Sequence, residues 1–328
     1  MSADFRFGQA INLALSDAMN ADPRIILFGE DLAGAGGAFG VTRNLLDRFG
    51  AERVRDTPLS EAAITGAAVG AAMGGLRPVI EIMFIDFITL AMDALVNQAA
   101  KAHFMFGGQF TIPMVVRAPH GGGIGAGPQH SQCIEAWLAH VPGLKVVCPA
   151  TISDAYGLMR AAIDDPDPVI VVENKSLYAM KGTAPDAWTH TPIGSAKIAR
   201  DGRDVTVVTY GAMLHRVHAA AKQLESYGID VEIVDLRSLQ PWDEETVLQS
   251  LRRTHRLVVC HEAVQAFGIG AEIVSKMVSV GFDEFDAPPR RIAAPFMPPP
   301  FAPSLEQHFV PSSERIVAEI RELMEMDS

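Results

Sequence analysis

The stretch Asp56-Thr57-Pro58-Leu59-Ser60-Glu61, running into Ala62-Ala63-Ile64-Thr65-Gly66-Ala67-Ala68-Val69-Gly70-Ala71-Ala72, sets one carboxylate at the first turn of a helix made almost wholly of small residues. A helix that small lets another backbone approach closely, and its N-terminal N–H groups favour an ionised carboxylate. Outward from it, apolar strand runs and helical patterns alternate. Upstream lie a helix over 8–20 ended by Asp22-Pro23, a strand at 25–28 and a glycine loop from Gly34 to Gly40. Downstream follow a helix end at Gly74-Gly75, a strand at 79–83, a helix over about 86–101 and a strand at 112–118. Then come a loop from His120 to Pro128, a helix from Ser131 to His140, a strand at 144–148, a helix over 152–163 and a strand at 168–173. Alternation of this kind predicts an α/β fold, with open parallel sheets covered by helices on both faces.

Between 178 and 200 the periodicity is broken by Gly182, Pro185, Trp188, Pro192 and Gly194, which reads as a linker. A second doubly wound unit is expected beyond it, with strands at 205–209, 230–236 and 257–261 and helices at 214–226, 244–252 and 268–280. The tail from Pro288 to Pro303 reads as extended, before a last helix at about 312–325. The expected organisation is a first domain over 1–180, a linker over 181–200 and a second domain over 201–328. A chain of 328 residues accommodates two such cores.

Composition narrows the function. Basic residues number 27 against 39 acidic ones, a net charge of -12, with no Lys/Arg block, which argues against nucleic acid and leaves room for a basic protein partner. No apolar run approaches the roughly 18 residues of a membrane span, so no membrane insertion is expected. Cys133, Cys148 and Cys260 are odd in number and lack CxxC spacing, against disulfides and zinc. With an N-terminus, Met1 to Phe5, free of targeting character, a reducing cytoplasm is expected.

Several side chains carry both a chemical and a plain reading. Glu61 could merely complement the helix dipole. Phe87, in Phe84-Ile85-Asp86-Phe87, could be core, as Phe84 is expected to be. His130, in Gln129-His130-Ser131-Gln132, follows five glycines within 121–127, where the backbone is free to turn tightly or approach a ligand. The His120-Gly121-Gly122-Gly123 string is not an esterase oxyanion loop, because no Gly-x-Ser-x-Gly elbow accompanies it. Gly268-Ile269-Gly270 lacks the third glycine of a dinucleotide fingerprint. Asp165 and Asp167 form an acidic turn before a strand, with oxygen donors of the kind hard cations take.

The order glutamate, aromatic ring, histidine, together with Gly29-Glu30-Asp31, Asp56 to Glu61, Gln129 to Gln132, Val172-Glu173-Asn174, Asp235 to Leu239 and Pro298 to Glu306, resembles the beta subunit of the thiamine diphosphate-dependent 2-oxo acid dehydrogenases over nearly the whole length. The resemblance implies a transketolase-like pyrimidine-binding domain followed by a transketolase carboxyl-terminal-like domain. It implies that Glu61 hydrogen-bonds the cofactor's aminopyrimidine and promotes its imino form, that Phe87 stacks on that ring, and that His130 assists acyl transfer to lipoamide. Asp165 and Asp167 align with a loop that holds a structural potassium ion in some relatives. The chain has no Gly-Asp-Gly, and no Asn follows its one Asp-Gly pair, Asp201-Gly202. Mg²⁺ and the diphosphate would then be held mainly by an alpha subunit, in an α2β2 heterotetramer that docks a lipoyl-bearing acyltransferase. Ile82 to Phe87 and Met105 to Gly108 look more like pyruvate- and acetoin-type subunits than branched-chain ones. Where relatives often carry Pro-x-Pro-Tyr-Ala, this chain has Phe301, one hydroxyl fewer. Two other readings are a two-subunit carboligase or acyloin-cleaving enzyme outside any lipoyl complex, and a catalytically silent partner of the same fold.

Overall fold

The computed structural model describes residues 4–326; Met1, Ser2 and Ala3 of the amino-terminal stretch lie outside the described residues. The chain divides into two compact units, Met1–His120 with Trp137–Ile193, and Gly121–Ala136 with Gly194–Ser328.

In the first unit the elements run β1 (Asp4–Arg6), α1 (Phe7–Ala21), β2 (Ile25–Gly29), α2 (Leu45–Phe49), β3 (Val54–Asp56), α3 (Glu61–Met73), β4 (Arg77–Glu81), α4 (Ala100–Met105) and β5 (Val115–His120). After α5 (Glu135–Ala139) come β6 (Lys145–Val147), α6 (Ile152–Asp164), β7 (Val169–Asn174) and β8 (Lys181–Thr183). The parallel order is β6-β7-β5-β4-β2-β3. Its central strands, Val115–His120 and Val169–Asn174, are buried at every position, as strands covered on both faces must be. Phe7, Ile11, Ala14 and Leu15 of α1 are fully buried, and α1 packs on α6. The register Leu27↔Val79 and Gly29↔Glu81 brings the carboxyl ends of β2 and β4 level. Open α/β sheets place their ligands at that edge.

In the second unit β9 (Lys197–Arg200), β10 (Val205–Thr209), α7 (Met213–Leu224), β11 (Val231–Asp235), β12 (Ser238–Gln240), α8 (Glu244–Thr254), β13 (Leu257–Val264), α9 (Ile269–Gly281), β14 (Arg290–Ala294), α10 (Pro303–Phe309) and α11 (Ser313–Glu325) follow in turn. The sheet order is β14-β13-β10-β11-β9, parallel except at β9. α8 shows why its sequence is helical: Asp243 accepts from Thr246 N–H at 3.0 Å, Glu244 and Glu245 open it, and Arg252 and Arg253 close it. Among the described residues no helix is long and apolar enough to cross a membrane.

Four stretches differ from the sequence reading. The helix expected over 86–101 is a 3-10 helix over Ile85–Ala91, a π-helical segment over Asp93–Ala99 and then α4. Ile85, Ile88 and Ala91, each 0% exposed, recur every third residue, which a 3-10 helix stacks in one row against the core. The helix expected from Ser131 begins only at Glu135, since the Gln132 carbonyl accepts from Gly121 N–H at 3.3 Å instead. The stretch read as a linker supplies an edge strand to each unit: β8 pairs antiparallel with β1, and β9 with β11. The tail read as extended holds β14, parallel to β13.

Candidate active site

The carboxyl ends of β2, β3 and β4 bring a group of acids together in the first unit. Glu61 is the first residue of α3 and is buried, 9% exposed. Asp56 ends β3 and accepts from Ala33 N–H at 2.6 Å and Gly34 N–H at 3.1 Å, tying down the glycine loop that follows β2. Glu30, 3% exposed, lies near the backbone N–H of Ser60, one residue before Glu61, which favours its charged form. Burial, and then the charge of Glu61, push the Glu30 carboxyl above the ordinary glutamate range. Glu30 Oε1, Thr57 Oγ1 and Thr65 Oγ1 are buried without a hydrogen-bond partner among the described residues. Buried polar atoms are nearly always paired, so this cluster has the character of a polar ligand site. Glu30 carries no local signal beyond its place after an apolar strand, and its proximity to Glu61 emerges only from sheet order.

Phe87 belongs to a series of aromatic rings. Its centroid is 5.9 Å from Phe84, edge-on; Phe84 is 5.8 Å from Phe39, and Phe39 stacks on Tyr178 at 4.8 Å. Phe84 is therefore not plain core: it is half-buried, and the Lys175 ammonium sits 5.0 Å from its ring centroid. Tyr178 anchors the series by donating to Glu173 at 2.6 Å. Arg117, 1% exposed, donates to both Glu173 oxygens at 2.8 and 2.7 Å and also to Glu81 Oε2. The two carboxylates raise the Arg117 guanidinium above its ordinary range against the opposing effect of burial.

His130 lies in the segment Gly121–Ala136, which groups with the second unit, whereas Glu61 and Phe87 lie in the first. His130 is half-buried, and its backbone N–H donates to the Gly127 carbonyl at 3.2 Å. Five residues on, Glu135 is fully buried and accepts from Tyr210 Oη at 2.7 Å. Burial pushes its carboxyl up to about 7. His261 is also buried, its imidazole driven down to about 4 by burial, and Gly268 and Gly270 pack against it: a Cβ on either would fall 2.8 Å from the ring. The Gly-Ile-Gly piece is thus used for side-chain packing.

The Asp165 and Asp167 turn meets a lysine. Lys145 Nζ lies 2.7 and 2.9 Å from the two Asp165 oxygens and 3.0 Å from Asp167 Oδ2. Arg77 donates to the Asp165 carbonyl at 3.1 Å. The positive charge a potassium ion would bring is already present there as an ammonium group.

Two family models cover most of the chain: the transketolase pyrimidine binding domain matches residues 4–181, and the transketolase C-terminal domain matches 194–316. The chain is 46% identical over 313 residues to the mitochondrial pyruvate dehydrogenase E1 component subunit beta-2 of Oryza sativa subsp. japonica, covering 94% of this chain and 83% of that one. It is 45% identical over 325 residues to the acetoin:2,6-dichlorophenolindophenol oxidoreductase subunit beta of Cupriavidus necator, covering 96% of each. Among solved structures, a split gene transketolase described as an inactive beta4 tetramer shares the fold with a TM-score of 0.81 at 21% identity, over 98% of this chain and 99% of that one.

Proposed function

We propose, for a chain that belongs to the E1 beta subunits of the thiamine diphosphate-dependent 2-oxo acid and acetoin dehydrogenases, that its first unit supplies the pyrimidine half of the cofactor site and that an alpha subunit supplies the rest. The observation that carries this is the buried Glu61 at the N-terminus of α3, beside Glu30 and its unpartnered Oε1. An aminopyrimidine, through its exocyclic amine and, once protonated, a ring nitrogen, offers donors that such an acidic, water-poor edge lacks. When bound, thiamine diphosphate supplies the electron sink for carbon–carbon cleavage next to a carbonyl.

The protein's own residues bind and orient. Glu61 would hold the protonated ring nitrogen by a charge-assisted hydrogen bond, and Glu30, raised by burial and by Glu61, is fitted to keep a proton beside it. Phe87 offers a flat face whose position is set through Phe84 and Phe39. His130 would donate a proton to the departing sulfur as the lipoyl disulfide opens, the other sulfur taking the acyl group. Mg²⁺ and the diphosphate fall to the alpha subunit, since no Gly-Asp-Gly is present. The small side chains Ala62, Ala63, Gly66, Ala67 and Gly70 form an exposed face of α3, which supports close approach of another chain.

Pyruvate or acetoin is the substrate this reading favours, on the likeness of the relatives. The assembly is an α2β2 heterotetramer that docks a lipoyl-bearing acyltransferase, and the net charge of -12 suits a basic docking module. Cys133, Cys148 and Cys260 form no disulfide among the described residues, which fits a reducing cytoplasm. At the Asp165–Asp167 turn, Lys145 supplies the charge, and a potassium ion bound through these carboxylates would require the ammonium to move.

The test is calorimetric titration of thiamine diphosphate and Mg²⁺ into this chain, alone and mixed with its alpha subunit. Tight binding is expected only in the mixture, and tight binding by the isolated chain would overturn the half-site reading. Acceptor assays with a lipoyl domain and with aldehydes separate the dehydrogenase from a carboligase.

A further inference from the structure

We propose that Glu306 and Glu262 are positioning residues for His130: their carboxylates clamp the backbone of the glycine loop that leads into it. Gly122 N–H donates to Glu262 Oε1 at 2.6 Å, Gly123 N–H to Glu306 Oε1 at 2.8 Å and Gly125 N–H to Glu306 Oε2 at 3.0 Å. Glu262 and Glu306 are buried, 6% and 5% exposed; the bond from Gly122 is buried and those from Gly123 and Gly125 are partly so. The loop is shaped to receive them. Gly121, Gly123, Gly125 and Gly127 have φ of 88°, 92°, 68° and 78°, a left-handed conformation that side chains disfavour. Backbone N–H groups that converge through such turns form a concavity for anions, and here the protein fills it with its own carboxylate.

The clamp reaches His130 through Phe301 and Gly127. Glu306 lies in α10, entered through Phe301 and Ala302, and its N–H donates to the Ala302 carbonyl at 2.9 Å. The Phe301 ring covers Gly127 so closely that a Cβ there would fall 2.1 Å from it. The Gly127 carbonyl in turn accepts from His130 N–H at 3.2 Å. Residues 301–306 therefore hold both ends of the loop, and the turn that presents the imidazole starts where Phe301 presses. Only a carboxylate satisfies Gly123 and Gly125 together, because both oxygens must accept. A glutamine at 306 would accept from one and turn an amine toward the other.

This inference rests on the reading that His130 acts in acyl transfer, and the experiment separates the two. In enzyme reconstituted with its alpha subunit, two rates are followed with the same 2-oxo acid: reduction of 2,6-dichlorophenolindophenol, which needs no lipoyl acceptor, and reductive acylation of a lipoyl domain. Glu306→Gln is expected to lower kcat of lipoyl acylation about tenfold more than it lowers dye reduction, the size of one lost charge-assisted hydrogen bond. Combined with His130→Ala it should cause no loss beyond that of His130→Ala alone. Equal losses in both assays, or none, would overturn the positioning role. If His130→Ala leaves lipoyl acylation intact, the reading of His130 fails instead. Hydrogen exchange at the Gly123 and Gly125 amides then decides the clamp by itself: faster exchange in Glu306→Gln supports it, and unchanged exchange refutes it.

Discussion

Two pairs of buried glutamates lie along the carboxyl edge of the same sheet, and they are treated in opposite ways. Glu81 and Glu173 flank Arg117, which donates to both, while Tyr178 adds a further bond to Glu173. Among the described residues Glu30 and Glu61 have no ion pair, and Glu30 Oε1 has no hydrogen-bond partner. Withdrawing a carboxylate from water costs several kcal/mol unless a counter-charge offsets it. The first pair meets much of that requirement within the chain, although burial still lifts the Glu81 carboxyl above the ordinary glutamate range against the pull of Arg117. The second is offset in part by the N-terminus of α3 and leaves an acceptor open. One pair is answered within the fold, and the other leaves a buried acceptor where the proposed ligand would bind.

The largest effect should come from breaking the open pair. Glu61→Gln in the reconstituted enzyme is expected to reduce decarboxylation, followed by dye reduction, by about 10²- to 10⁴-fold, as for loss of a positioned acid–base group. Its melting temperature should stay within about 2 °C of the parent, because no ion pair is lost. A large fall in melting temperature with the same residual activity would make Glu61 a structural residue and erase the contrast.

Arg117→Met tests the closed pair. Removing the cation leaves two uncompensated buried carboxylates, a loss of about 3–5 kcal/mol in urea unfolding. Phe87 should feel it too, since the cluster anchors Tyr178 and, through Phe39 and Phe84, the ring series. An unchanged urea midpoint would show that the carboxylates are neutral in the folded chain and that Arg117 is not what compensates them.

What the sequence shows of these regions follows the range of the interactions. Alternating strand and helix patterns made the two α/β units legible, and Glu61 is legible because a helix start is a local event. Arg117 meets Glu81 across 36 residues and Glu173 across 56, and Gly123 meets Glu306 across 183, so no spacing encodes these contacts. The stretch from Ile85 to Ala91 is ambiguous for a different reason: an apolar residue at every third position suits an α-helix and a 3-10 helix alike, and only the packing decides. Phe84 was read as core because its apolar surroundings conceal the ammonium of Lys175.

A third carboxyl, in the second unit, sharpens the contrast by replacing the cation with a phenol. Glu135 accepts from Tyr210, and burial lifts it to about 7 from an ordinary 4.5. A carboxyl raised on folding favours the folded state while protonated. Stability should therefore fall as pH rises from about 4.5 to about 7 and level off above, by on the order of 3 kcal/mol from this group. In urea titrations between pH 5 and 8, Glu135→Gln should lose most of that slope. A variant with the parent's slope would mean that a tyrosine hydroxyl suffices to keep the carboxylate charged.

The smallest effect is expected where the same arrangement of one cation and two carboxylates reaches the surface. Lys145 joins Asp165 and Asp167 with its side chain 27% exposed, so water already screens the charges. Burial opposes the lysine's charge, but its hydrogen bonds to the two aspartates prevail and lift it above its ordinary 10.5. A raised ammonium contributes stability that is complete below about pH 10 and lost above, so no change is expected between pH 6 and 9. Lys145→Met should cost about 0.5–1 kcal/mol, against several for Arg117→Met. If the turn needs one positive charge of any kind, potassium chloride should restore the melting temperature of Lys145→Met better than choline chloride at equal ionic strength, while the parent shows no preference. A potassium preference in the parent would mean that the ammonium does not meet the need of the two carboxylates, and that the surface triad, like Glu30 and Glu61, is completed by something the chain does not carry.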